Sequence, residues 1–146
     1  MFNQAKPGLC NICANKDPDA EAAEQALLAK DAAIDAIIVT TEMQTDLLIG
    51  ERLGIITAEC AYGMNVFKDL FASIRNIVGG RSAAVQKTMR DARETVLYEL
   101  KQEAHRKGAD AVIAVDLDYV QIGDGGWSMV MLVASGTAVK IERAAA

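Results

Sequence analysis

Cys10 and Cys13 stand two residues apart in "GLCNICANKD", residues 8–17. That spacing lets a tight loop aim both thiolates at one ion, and thiolates select zinc and other soft metals. A closed structural zinc site takes four ligands, so this pair is half of one. The remaining ligands would come from Cys60, from His105, or from the cysteine pair of a second subunit. Against that stand two other readings: an unligated remnant knuckle, and a redox pair with a lowered thiol pKa. The redox reading lacks the strand and helix of thioredoxin type around it. His105 falls late in a charged helical stretch, where a solvent-exposed histidine is the ordinary case.

A second constellation is acidic. Asp116 and Asp118 alternate along "ADAVIAVDLDYVQI", residues 109–122, and so project from one face of a strand. Glu59, on an earlier strand, is placed to join them. Together they offer oxygen ligands to a hard cation or a carboxylate pair for acid/base work. Alternating carboxylates also write a plainly solvated strand face.

The third is "GGRS", Gly79, Gly80, Arg81 and Ser82, at the start of a helix. Bare backbone N–H groups, a guanidinium and the positive end of the helix together suit an anion such as phosphate. Residues 68–94 carry six basic and three acidic side chains, which makes the region locally positive. The lysine and spacing of a nucleotide-binding P-loop are absent, and a tight helix–helix turn explains the glycines equally. Nucleophilic hydrolysis has little support: the single histidine has no evident partner in the sequence, and "ASGT" around Ser135 lies within a strand without a nucleophile elbow.

These residues need elements to hold them. "DPDAEAAEQALLAKDAAIDA", residues 17–36, reads as a helix with Asp17 as cap and Pro18 at its first position. Its large apolar residues are Leu27, Leu28 and Ile34, too thin a stripe to stand without a packing surface. "IIVTTE", residues 37–42, has strand character, as has "RLGIITAECAYG", residues 52–63. Asn65 can cap a helix carrying Phe67, Leu70, Phe71, Ile74, Ile77 and Val78, which "GG" ends.

The next helix is expected from Ser82 to about Lys107, with Val85, Met89, Ala92, Val96, Leu100 and Ala104 on one face at steps of four and three. Gly108 stops it. In the strand that follows, Ile113, Val115, Leu117 and Tyr119 are expected on one side, opposite Asp116 and Asp118. After a "GDGG" turn, "WSMVMLVASGTAVKIE", residues 127–142, has too little polar alternation for either face to be freely wet. Gly136 within it marks a bulge. The elements read as an antiparallel sheet packed on a long helix, preceded by an N-terminal cysteine-containing arm and helix (residues 1–36), with the main domain at 37–143. The chain's own helices cover one sheet face, and the other is expected to meet further subunits.

Composition excludes several classes. A chain of 146 residues, 51% hydrophobic and 24% charged, is an ordinary single core with a small appendage. A net charge of −5 opposes general nucleic-acid binding, which needs a basic footprint, and an acidic membrane surface is equally unsuited. No run approaches the roughly 20 apolar residues of a membrane helix. Three cysteines and an opening without a secretory signal point to a reducing cytoplasm, with thiols free or metal-bound.

"ITAECAYGMNVFKDLFASIRNIVGGRSAAVQKTMRDAR", then "KGADAVIAVDLDY" and "SMVMLVASGTAVK", resembles the YbjQ-like family across residues 38–141. That resemblance implies a dodecin-subunit-like α+β fold, assembly into a homopentameric ring, and membership of a family of unknown function carrying a heavy-metal-binding label. Some relatives bear a zinc-ribbon-like segment in front of the domain. This chain has one knuckle where a ribbon has two, and Ala14 stands where glycine is common.

The expected function is thus a cytoplasmic, ring-forming homo-oligomer that binds a heavy metal such as zinc and is not an enzyme. One alternative is a small-ligand or anion carrier, or an enzyme, using pockets between subunits. Another is a structural interaction hub.

Overall fold

Proline fits the first turn of a helix, where its missing N–H costs nothing, and Pro18 begins helix α1 (Pro18–Asp35). The computed structural model describes residues 18–63, 83–124 and 127–142. The chain divides into two units, Met1–Ala33 and Ile34–Ala146. In α1 the large side chains Leu27 and Leu28 are 59% and 63% exposed. The last residues of α1 belong to the second unit, where Ile34 is fully buried and the Asp35 carbonyl accepts a hydrogen bond from Lys101 Nζ at 3.0 Å.

The second unit contains strands β1 (Ile38–Val39), β2 (Ile49–Gly63), β3 (Ala111–Asp124) and β4 (Trp127–Ile141), with helix α2 (Ala83–Arg106) between β2 and β3. The sheet order is β1-β3-β4-β2. It is antiparallel through β3, β4 and β2, as the α+β reading expects, and β1 adds a short parallel pairing to β3.

On α2 the apolar period is realised: Ala92, Val96, Leu100 and Ala104 are all buried. They pack against Ile56 and Ala58 of β2, Val112 and Val115 of β3, and Leu132, Ala134 and Ala138 of β4. Fully burying Val96 and Leu100 contributes roughly 1.5–3 kcal/mol each before entropy is subtracted. The helix ends as the sequence anticipates. Gly108 takes φ +71°, its N–H bonds the His105 carbonyl at 2.9 Å, and the Ala109 N–H bonds the Ala104 carbonyl at 3.0 Å. These two bonds form a Schellman motif, closed by contact between two buried alanines.

Strand β3 departs from simple alternation. Its register with β4 slips between Ile113 and Asp116, and Ala114 is left-handed at φ +53°. This is a bulge, and each side chain beyond it changes sides. Val112 and Val115 face α2, whereas Ile113 faces away with Ala111 and Val139. The expectation that Ile113 shares a face with Val115 and Leu117 is therefore corrected. Gly136, read as a bulge marker, lies on the regular strand opposite, against Val112 and Val115.

The bulge also receives the segment after β1. The Thr40 N–H donates to Val112 O, the Val115 N–H to Thr40 O, and the Ala114 N–H to Glu42 O, at 3.0, 3.0 and 3.1 Å. Those bonds replace the regular ladder, which explains why the strand expected over 37–42 is reduced to two residues. Leu47 and Ile49 follow and pack on Ala111, Ile113, Val139 and Ile141. One end of the second sheet face is thereby covered from within the chain. The helix expected after Asn65 lies outside the described residues.

Candidate functional site

Strand pairing fixes where the carboxylates stand. Glu59 pairs with Val133, which pairs with Asp118, so these three form one row across the sheet; Thr57, Ser135 and Asp116 form the row two residues away. Glu59, Asp116 and Asp118 thus share the face turned away from α2, as alternation expects, and all are exposed. Glu59 and Asp118 are separated by a strand, roughly 10 Å between backbones at about 4.8 Å per spacing. Among the described residues no group of three or more His, Cys, Asp or Glu is gathered as a metal site.

Beyond these rows the same face becomes apolar. Ala61, Met131 and Val120 form the next row, and Gly63, Met129 and Ile122 the one after. Val120 and Ile122 are each 39% exposed, while Met129, Met131 and Val133 are half-buried. The face is therefore acidic in its middle and greasy towards the β3–β4 turn.

Cys60 points the other way. It shares a row with Leu132 and Tyr119, is half-buried with a free thiol, and packs against the α2-side core. Two residues on, Tyr62 lies on the same side. A hydrogen bond with Cys60, then burial, then the charge that Cys60 would carry hold the Tyr62 phenol above its ordinary pKa. A hydrogen bond with Thr95 pulls it down, and the charge of Asp91 raises it slightly. Thr95 in turn donates from Oγ1 to the Asp91 carbonyl at 2.8 Å. A phenol so placed is a neutral hydrogen-bonding group at physiological pH and a poor anionic ligand. The sequence reading missed this pair. Its only trace is the two-residue spacing of Cys60 and Tyr62 on a strand.

His105 is half-buried on the last turn of α2. At 1.5 Å of rise per residue it lies roughly 15 Å along the axis from Thr95, the α2 residue beside Tyr62. Cys60 and His105 are thus not neighbours. Cys10, Cys13 and the turn of Gly79, Gly80, Arg81 and Ser82 lie outside the described residues. None of the described helices is long and apolar enough to cross a membrane.

The model of a family named YbjQ_1, described as "Putative heavy-metal-binding", matches residues 36–142. Among solved structures, one similar fold is the crystal structure of a protein of unknown function from Pediococcus pentosaceus that belongs to the DUF74 family. The two superpose with a TM-score of 0.54 over 73% of this chain and 98% of that one, at 13% identity. At that identity the likeness is one of fold.

Proposed function

Since the chain belongs to the YbjQ_1 family, we propose that it is a self-assembling metal-binding protein, not an enzyme. Its main domain forms a homo-oligomeric ring, and its Cys10–Cys13 pair takes a soft ion such as zinc. A ring of five is the number that the family resemblance implies, and a reducing cytoplasm is the compartment that suits the thiols.

The observation that carries this reading is the second face of the sheet. Strand β4 is buried on the α2 side by Leu132, Ala134 and Ala138. On the other side Met129, Met131 and Val133, with Val120 and Ile122 beside them, keep partial contact with water. Covering apolar surface yields about 25 cal/mol per Å², and a second copy supplies such a cover in a repeating arrangement.

The family description and the ligand chemistry together support soft-metal binding. The exposed carboxylates suit hard cations, while heavy metals prefer thiolates. Cysteines 10 and 13 are the paired thiols of this sequence.

The experiment is elemental analysis of protein purified without added metal or chelator, followed by zinc titration of wild type and a Cys10→Ser, Cys13→Ser variant. Retained zinc that the variant loses is the expected result. No retained metal, with equal zinc affinity in both proteins, would remove the coordination half of the proposal.

A further inference from the structure

We infer that the sheet continues from one chain into the next: the outer edge of β2 pairs in parallel with the edge of β3 in a second copy, with Arg52 beside Asp118. This deepens the self-assembly reading and rests on it.

A strand edge sets out N–H and C=O groups as a template for another strand. The sheet of the described residues ends in two such edges. Strand β2 pairs with β4 on one side and, among the described residues, with no strand on the other. On β3, strand β1 reaches Ala111 and Val112, and the segment after it bonds Ala114 and Val115. Residues 116–124 then have β4 as their one neighbouring strand among the described residues. This β3 edge is also apolar. Tyr119, Val120 and Ile122 are 45%, 39% and 39% exposed, and an open apolar edge is an association site unless it is guarded.

The two edges match each other. Arg52 pairs with Val139 on the face turned away from α2, which is also the face of Asp116 and Asp118. Arg52 and Asp118 are exposed, and neither has an ion-pair partner among the described residues. They stand at opposite edges of one sheet, apart within a chain and placed to meet between chains. Setting Arg52 beside Asp118 of the next copy, with the bulged Leu53 left out of the pairing, brings Ile55, 75% exposed, beside Val120 and Thr57 beside Ile122. On the other face Tyr119 comes beside Gly54, where an added Cβ would meet nothing within 4 Å. Lys107 Nζ donates to the Ile55 carbonyl at 3.2 Å, and a carbonyl has a second lone pair for a further bond.

Other edge pairings of two copies serve less well. Strand β3 has no basic residue, so β3 against β3 offers its carboxylates no cation. Strand β2 against β2 leaves the apolar β3 edge bare. Direction follows from the sheet: β2 and β3 are both antiparallel to β4, so a continuous sheet sets them parallel across the joint. Because two different edges meet, the contact is heterologous, and successive copies form a ring when the rotation between them closes.

The test is a cross-link. Within one chain Ile55 and Val120 are separated by β4 and by three rows of the sheet, roughly 20 Å along the strands, beyond the roughly 7 Å that a disulfide spans between Cα atoms. An Ile55→Cys, Val120→Cys variant, with Cys10, Cys13 and Cys60 replaced by alanine, is oxidised with diamide and run on a non-reducing denaturing gel. A Glu59→Cys, Val120→Cys variant in the same background is the off-register control. The expected result is a ladder of covalent multiples formed roughly tenfold faster by the first variant than by the control. In the otherwise native chain, Arg52→Asp and Asp118→Arg each weaken association roughly tenfold by sedimentation equilibrium, and the two together restore it.

Multi-chain particles that cross-link no faster than the control, or charge reversals whose losses add instead of cancelling, would overturn the edge pairing while leaving self-assembly in place. A wild-type protein that sediments as a single chain would overturn both.

Discussion

Gly136 and Val112 touch across the sheet so closely that a Cβ added to the glycine would lie 2.6 Å from Val112 Cγ1 and 3.0 Å from Val115 Cγ2. The bulge in β3 turns both valines towards α2, and the glycine opposite leaves the room that they occupy. Gly136→Ala is expected to destabilise the fold by about 1–3 kcal/mol, the usual cost of overpacking a core. Urea denaturation checks this. A midpoint equal to wild type would show that the valines yield freely and that the contact is loose.

The same bulge carries a left-handed alanine. A non-glycine residue in that region costs roughly 1–2 kcal/mol, and Ala114 at φ +53° bears that cost to present its N–H to Glu42. Ala114→Gly should relieve it and raise stability by about 1 kcal/mol, seen as a higher thermal midpoint. A lower midpoint would mean that the half-buried methyl group contributes more by packing than it costs in strain.

Tyr62 gives a pH prediction. Its folded-state pKa is raised, first by the hydrogen bond with Cys60, so the native state holds that proton more tightly than the unfolded chain. The associated stability is complete below the unfolded value of about 10 and is lost as pH rises through the higher folded value. Ultraviolet titration of the phenols should show a late component that moves down in Cys60→Ala. An identical titration in the variant would detach Tyr62 from Cys60.

If the sheet face turned away from α2 is the subunit contact, as we propose, charge placed on it should disrupt assembly. Val120→Lys adds an ammonium group to the exposed apolar row formed with Met131 and Ala61, and burying it against a second copy would cost several kcal/mol. The variant is expected to sediment at lower mass than wild type with an unchanged far-ultraviolet circular dichroism spectrum. Equal masses would place the subunit contact elsewhere.

Much of this architecture is legible in the residues because its signals are local. The period of Ala92, Val96, Leu100 and Ala104 names the buried face of α2, and Gly108 names its end. The bulge is not legible in that way. Ala114 is neither glycine nor a turn residue, and its conformation is imposed by backbone bonds to Thr40 and Glu42, far away in sequence. One inserted residue then reverses the alternation that had grouped Ile113 with Val115.

For the candidate sites the contrast is similar. Glu59, Asp116 and Asp118 share a face, as alternation predicts. Which rows they occupy depends on the β2–β4–β3 register, and that spreads them instead of gathering them. The link between Tyr62 and Thr95 joins a strand to a helix and has no signature in either segment alone.

Native mass spectrometry of the freshly purified protein weighs assembly and bound metal in one spectrum. The function that we propose predicts multi-chain particles that retain zinc or a similar soft ion. A soluble, metal-free single chain of 15.6 kDa at working concentration would contradict it.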